Sequence, residues 1–349
     1  MGGFKMLHRL YFIGPCGGGE VPTNGASAKN LQIVNYFKKR GCGVRIIDTE
    51  RWKKNPFVLL HLFFCLFVYH GRYIVSANNT SSYRLLSILT RMPFRSHVTY
   101  WVIGGSIGDW IKEGRVSSEP FKKVDLILCE GERMKRVFAD CGINNVQVVP
   151  NFKIIDFIPE KRNTKEDEVK FVFLSRIIPD KGVGIIVDAV KELNKKIKGF
   201  SVDFYGPFED SYKEEFLSAI ENVENIKYRG FLNLNKTENY NELAKYDVML
   251  FPTYWHGEGF PGIFIDAFIA GLPVIATDWS MNGELIKDGE NGWMIPPYDP
   301  ETLANTMEKV LADRETLKNM TITCQETARL YDINHVIDNK LLEQLGLLS

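Results

Sequence analysis

Short apolar runs alternate with amphipathic stretches along nearly the whole chain, and this constrains the fold more than any other feature. LHRLYFIG, GVRIIDTE, RYIVSAN, HVTYWVIGG, VDLILCEG and VQVVPNF occur before residue 153; VKFVFLSR, SVDFYGPF, IKYRGFL, YDVMLFPT and PVIATD occur after 168. Runs this short and apolar read as strands buried on both faces, and the stretches between them read as helices. Strand–helix alternation implies parallel sheets covered by helices on both sides. The pattern breaks once, at KIIDFIPEKRNTKEDE (153–168), which is polar, charged and carries a proline. The expectation is α/β: two doubly wound parallel-sheet domains, 1–152 and 169–332, joined by a linker at 153–168 and facing each other across a cleft. One more helix is read over about 333–349. In open parallel sheets, ligands bind in the loops at the carboxyl ends of strands. That directs attention to 14–25, 104–109, 176–182, 206–210 and 253–262.

Net charge is zero over the 349 residues, yet residues 1–152 carry 21 Lys+Arg against 10 Asp+Glu, and the remainder has the opposite imbalance. Asymmetry of this kind points to different partners for the two halves. The clusters KKR (38–40), RWKK (51–54), RMPFR (91–95) and RMKR (133–136) mix cations with apolar residues, which suits an anionic membrane surface. No nucleic-acid motif accompanies them, so nucleic acid is not expected. The six cysteines show no paired spacing and read as reduced thiols of a cytoplasmic protein. No signal-peptide pattern opens the sequence. FVLLHLFFCLFVY (57–69) falls short of the roughly 20 residues a bilayer span needs, so it is read as a buried helix that could also touch a membrane surface.

The chemistry concentrates in GEGFPGIFIDAFIAGLPVIATD (257–278). Pro261 suits the first turn of a helix, Gly271 its end, and Pro273 blocks continuation. The free N–H groups of Gly262 and Ile263 then make an anion site, and the glycines let a ligand approach. Glu258 precedes that helix, and Asp266 lies within it among apolar residues. A buried carboxylate needs partners. Asp266 either caps a nearby backbone amide or accepts from a sugar diol; Glu258 is either a solvated loop acid or a ligand group. In FLSRIIPDKGVG, Arg176 closes a strand and Lys181 opens a helix, which suits a diphosphate, although two exposed loop cations would read the same way. GPCGGG after the first strand departs from GxGxxG at Cys16, so a dinucleotide reading is weak; it remains a close-approach loop or a flexible turn. No His/Cys cluster has metal-ligand spacing, and no metal is expected.

SRIIPDKG, YDVMLFPT, EGFPGIFIDAFIAGLPVIATD and GENGWMIPPYDPETLA together resemble the retaining glycosyltransferases of family 4, whose fold is GT-B, two Rossmann-like domains. The resemblance is strongest over about 170–312. Glu258 and Asp266 match the family's pair of acids with seven residues between them, with Asp where Glu is usual. Pro261 replaces a common glycine. Gly104 and Gly105 stand where many members carry a His, so no catalytic His is assigned. The resemblance implies that Arg176 and Lys181 hold the donor diphosphate, Glu258 contacts the transferred sugar, and Gly259, Phe260, Gly262 and Ile263 wrap sugar and phosphate. Asp266 takes the ribose, backbone near Gly206 and Phe231 faces the base, and Gly17, Gly18 and Gly105 border the acceptor or a phosphate. It implies retention, and a terminal helix that crosses back to the first domain. The expected reaction moves a sugar from a nucleotide-sugar, expected to be a UDP-sugar, to a glycan or lipid-linked saccharide in surface polysaccharide or glycolipid synthesis. No cofactor is required, and the protein is expected in the cytoplasm or peripheral on the inner face of the membrane. The alternatives are a nucleotide-sugar epimerase of the same fold and a non-catalytic nucleotide-sugar-binding protein. A glycosidase with two carboxylates is less suited, because Asp266 sits in apolar company.

Overall fold

The computed structural model describes residues 10–18, 25–51, 71–92, 97–160, 168–234 and 236–348, with 55, 57, 60, 62 and 64 singly. The chain divides into two compact units, Met1–Pro150 with Ile337–Ser349, and Asn151–Val336.

The first unit holds six parallel strands: β1 (Leu10–Gly14), β2 (Val44–Asp48), β3 (Arg72–Val75), β4 (His97–Trp101), β5 (Leu126–Cys129) and β6 (Val146–Val148). Their order is β2-β1-β3-β4-β5-β6, so the winding reverses between β1 and β3. The Gly25–Lys39 helix buries Ile33, Val34 and Phe37. The chain's end belongs to this unit: Tyr36 donates to the Ile337 carbonyl at 3.1 Å and Arg40 to Asn339 at 2.6 Å.

The second unit repeats the scheme with β7 (Val169–Leu174), β8 (Phe200–Tyr205), β9 (Ile226–Tyr228), β10 (Val248–Phe251), β11 (Val274–Thr277) and β12 (Gly292–Ile295). The order is β12-β11-β10-β7-β8-β9, all parallel, with the reversal between β7 and β10. One face is sealed by the Val183–Asn194 and Pro300–Ala312 helices, whose Ile186, Val190, Leu303 and Met307 pack on Phe171, Phe173 and Phe204.

Four readings change. The segment read as a linker is tied into the second unit over its described part, where Lys153 pairs with Asp332 and the Ile155 amide donates to the Asp332 carboxylate at 2.9 Å. The end of the chain is two short helices, Ile333–Val336 and Asn339–Gln344, rather than one. Strand β12 and the Arg314–Arg329 helix were not read from the sequence at all. Finally, 57–69 is not wholly buried: the described Phe57, Leu60 and Phe64 are each more than half exposed, while Leu62 is buried. The rest of that run lies outside the described residues. Among the described residues no helix is long and apolar enough to cross a membrane.

Candidate functional site

Two strand ends meet at the reversal in the second sheet. After β7 the chain runs through Ser175 and Arg176 into a short turn, Pro179–Lys181, and then the Val183–Asn194 helix. Two glycines make this approach possible. Gly206 (φ 146°) lies so near β7 that a Cβ would stand 1.7 Å from the Ser175 carbonyl oxygen, and Gly182 (φ 75°) leaves 2.1 Å to the Pro252 oxygen. No L side chain fits either place.

Beyond β10, Glu258 is buried and accepts from the Lys181 ammonium, and Thr253 Oγ1 donates to the same carboxylate at 3.1 Å. The reading of Glu258 as a solvated loop acid therefore fails. The Trp255 ring lies 4.7 Å from Lys181 Nζ and 4.7 Å from the Arg176 guanidinium carbon. Cation–π attraction of this kind is worth about 0.5–2 kcal/mol per pair. Trp255 is thus the hub that holds two cations beside one acid. Trp255 carries no distinguishing mark in the sequence, because nothing in its spacing reveals the ring's neighbours. Burial holds the Lys181 pKa below the ordinary lysine range; Glu258 partly offsets this, and Arg176 adds to it.

The Gly262–Ile269 helix begins beside this cluster with Pro261 as N-cap. Phe264 is the first amide to bond back, to the Pro261 carbonyl at 3.0 Å. The N–H groups of Gly262 and Ile263 precede any intrahelical partner.

Asp266 sits elsewhere in the hydrogen-bond scheme. It is 3% exposed; Tyr240 donates its hydroxyl to Oδ1, and Lys153 Nζ stands 2.9 Å from Oδ2. Burial, then Asp266 itself, pushes the Tyr240 pKa upward. Side chains rather than a backbone amide thus satisfy the carboxylate. Both its oxygens are engaged, so a ribose would have to share it with Lys153 and Tyr240. Neither partner was legible in sequence, since they come from 113 and 26 residues away along the chain by their numbering.

The remaining assignments scatter. Gly259 stays in the loop with Glu258, whereas the Phe260 side chain is buried against Tyr331, with ring centroids 5.7 Å apart. Gly206 is buried at the end of β8, and its amide donates to the Gly230 carbonyl at 2.8 Å. Phe231 follows and is 69% exposed. In the first unit, the glycine-loop amides of Cys16, Gly17 and Gly18 are already taken. Cys16 N–H donates to Asp48 at 3.1 Å, Gly17 N–H to Glu50 at 2.5 Å and Gly18 N–H to Asp48 at 2.8 Å. A phosphate there would meet two carboxylates instead of free donors, so the phosphate reading of Gly17 and Gly18 does not fit. Gly105 lies in the loop after β4, part-exposed. Near the glycine loop's helix, Lys29 makes a buried ion pair with Glu130 at 2.5 Å.

Residues 154–326, which contain this cluster, match one known family. The match is to the family described as glycosyl transferases group 1. Over 275 residues (75% of this chain and 71% of the relative), the chain is 22% identical to an uncharacterized 41.2 kDa protein in the cps region of Klebsiella pneumoniae. Three further curated relatives are spanned over only 20%, 38% and 52% of their own length. Among solved structures, the lipopolysaccharide outer core galactosyltransferase WaaB matches with a TM-score of 0.75 at 15% identity, over 97% of this chain and 100% of that one. Anabaena Alr3699/HepE in complex with UDP matches with a TM-score of 0.74 at 15% identity over the same shares. The two units therefore have the GT-B fold of these neighbours.

Proposed function

We propose that the chain is a glycosyltransferase that moves a sugar from a nucleotide-sugar, a UDP-sugar in our reading, to a glycan or lipid-linked saccharide during surface polysaccharide or glycolipid assembly. The observation that carries this is the joining of Arg176, Lys181 and Glu258 around Trp255 at the strand reversal, beside the start of the Gly262–Ile269 helix. The group 1 match, the UDP in one structural neighbour, and the lipopolysaccharide and cps contexts of the proteins named above support the choice of substrates.

Cleaving the sugar–phosphate bond leaves positive charge on the sugar and negative charge on the departing diphosphate. Arg176, Lys181 and the helix amides meet that negative charge, and Glu258 stands where it can accept from a sugar hydroxyl. The two cations supply the positive charge that a metal provides elsewhere, so the reaction is proposed to be metal-independent. Retention follows if the acceptor attacks from the face the diphosphate leaves, with a phosphate oxygen taking its proton. Asp266 reaches the ribose in this reading only together with Lys153. Gly17, Gly18 and Gly105 are proposed to border the acceptor.

Incubation with a panel of nucleotide sugars, in excess chelator, tests the proposal. A transferase releases nucleoside diphosphate only when acceptor is present, an epimerase produces an isomer, and a binding protein does neither. Lys181→Ala is expected to lower turnover by about 10²–10³, the loss typical of a preorganised oxyanion donor. Undiminished turnover in that variant removes the diphosphate assignment.

A further inference from the structure

Among the described residues only two non-glycine residues have left-handed backbone, Ser280 (φ 52°) and Tyr298 (φ 61°). Glycine is the unstrained choice at such positions, and strain of this kind gathers where a site requires it. Both residues lie in loops at the carboxyl ends of neighbouring strands, Ser280 after β11 and Tyr298 after β12. Ser280 Oγ donates to the Glu258 carbonyl at 2.7 Å, which ties its turn to the loop that carries the acid.

Around these turns the rings form one continuous wall. Tyr298 packs on Tyr254 with centroids 4.4 Å apart, and Trp279 meets the Tyr298 ring edge-on at 6.3 Å and the His256 ring at 5.5 Å. Trp279 Nε1 donates to the Trp255 carbonyl at 2.9 Å, so the wall continues into the hub that holds Arg176 and Lys181. Tyr298 is 57% exposed, and His256 is also exposed. A large aromatic held in a conformation glycine would prefer, and presented to solvent, is there for its ring.

We propose that Tyr298, with Trp279, Tyr254 and His256, is a stacking platform for an uncharged pyranose ring. The proposal deepens the reading of the site as a nucleotide-sugar site and rests on it. The apolar C–H face of a pyranose packs on aromatic faces, while the tyrosine hydroxyls and the imidazole offer polar partners to its hydroxyls. Sheet order sets the direction. Gly206 and Phe231 lie on the β8–β9 side of the reversal and the wall lies on the β10–β12 side. With the base on the first side and the diphosphate at the reversal, the sugar end faces the wall. From β10 to β12 is two inter-strand steps of about 4.8 Å each, room for one or two sugar rings.

Tyr298→Gly tests this without endangering the fold, because it removes the ring and the strain together; Tyr298→Phe keeps the stacking face. Calorimetric titration compares UDP with UDP-glucose, UDP-galactose and UDP-N-acetylglucosamine, and a fluorescently tagged protein is applied to an array of pyranose oligosaccharides. Tyr298→Gly is expected to hold UDP affinity within about twofold and to weaken sugar binding about tenfold, with Tyr298→Phe close to wild type. Loss confined to the UDP-sugars assigns the platform to the transferred sugar, and loss confined to the array assigns it to the acceptor saccharide. No change in either arm overturns the proposal, and so does an equal fall in UDP affinity, which would make the ring a base-stacking residue. Should wild type bind no nucleoside diphosphate, the nucleotide-sugar reading fails, and the array arm still judges the platform.

Discussion

At the residue scale, the balance of Lys181 decides how the site responds to pH. Its pKa is depressed by burial more than Glu258 restores it. The unfolded chain therefore holds more protons between the folded and ordinary lysine values, and the cost of burying this charge is relieved as pH rises through that window. With Lys181 in its proposed role, diphosphate affinity runs the other way, because the ammonium is then the binding form. It is expected to fall on an alkaline limb that starts below the ordinary lysine value, by about tenfold per pH unit beyond it. Lys181→Arg keeps its charge throughout, so the limb disappears from its affinity profile even if absolute affinity drops. Titrations with nucleoside diphosphate from pH 7 to 10.5 check this. Cys16 offers a second measurement: burial, reinforced by Asp48 and Glu50, pushes its thiol up to about 12. Folded protein is expected to resist alkylation at Cys16 at pH 8, since the thiolate is the reactive form. Rapid labelling of Cys16 in a peptide-mapping experiment contradicts the loop geometry that places both carboxylates on its amides.

At the element scale, helix ends do most of the positioning. Pro261 caps the start of the Gly262–Ile269 helix soon after Glu258, and Gly182 in left-handed backbone caps the start of the Val183–Asn194 helix directly after Lys181. Asp299 caps the Pro300–Ala312 helix, accepting from Thr302 N–H at 2.8 Å. Asp299→Ala is expected to cost about 1 kcal/mol in urea unfolding, the usual value of a lost cap. A change below about 0.3 kcal/mol would show that tertiary packing alone fixes that helix. The Arg314–Arg329 helix escaped the sequence because only Leu317, Met320, Cys324 and Ala328 mark its buried face, diluted among polar residues. Strand β12 escaped because four residues opening on glycine give too little alternation to register.

At the scale of the whole molecule, charge and exposed apolar surface coincide in the first unit. Residues 1–152 carry 21 Lys+Arg against 10 Asp+Glu, and the unit exposes Phe57, Leu60 and Phe64 at spacings of three and four residues. If this unit attaches to an anionic membrane surface, as its basic clusters lead us to expect, the attachment has both an electrostatic and an apolar component. Protein is expected to pellet with phosphatidylserine vesicles at low salt. The effect should weaken steeply as added salt shortens the screening length from about 10 Å at 0.1 M to about 3 Å at 1 M. Phe57→Ser should reduce binding at every salt concentration, since apolar insertion is not screened. Absence of salt-sensitive pelleting removes the membrane from the account.

By itself the sequence determined the two rounds of strand–helix alternation, hence two parallel sheets. Apolar runs of that length have nowhere else to go. It also placed Arg176, Lys181 and Glu258 at strand ends, because glycine and proline punctuate those loops locally. Tertiary structure alone decided which groups satisfy the acids: Lys181 and Thr253 for Glu258, Tyr240 and Lys153 for Asp266. It also turned Asp48 and Glu50 onto the N-terminal glycine loop, and it left Phe57, Leu60 and Phe64 exposed in a run whose composition reads as buried. Hydrophobic periodicity is a local property of the chain, whereas the partner of a buried charge is set by whichever distant segment the fold delivers within about 3 Å.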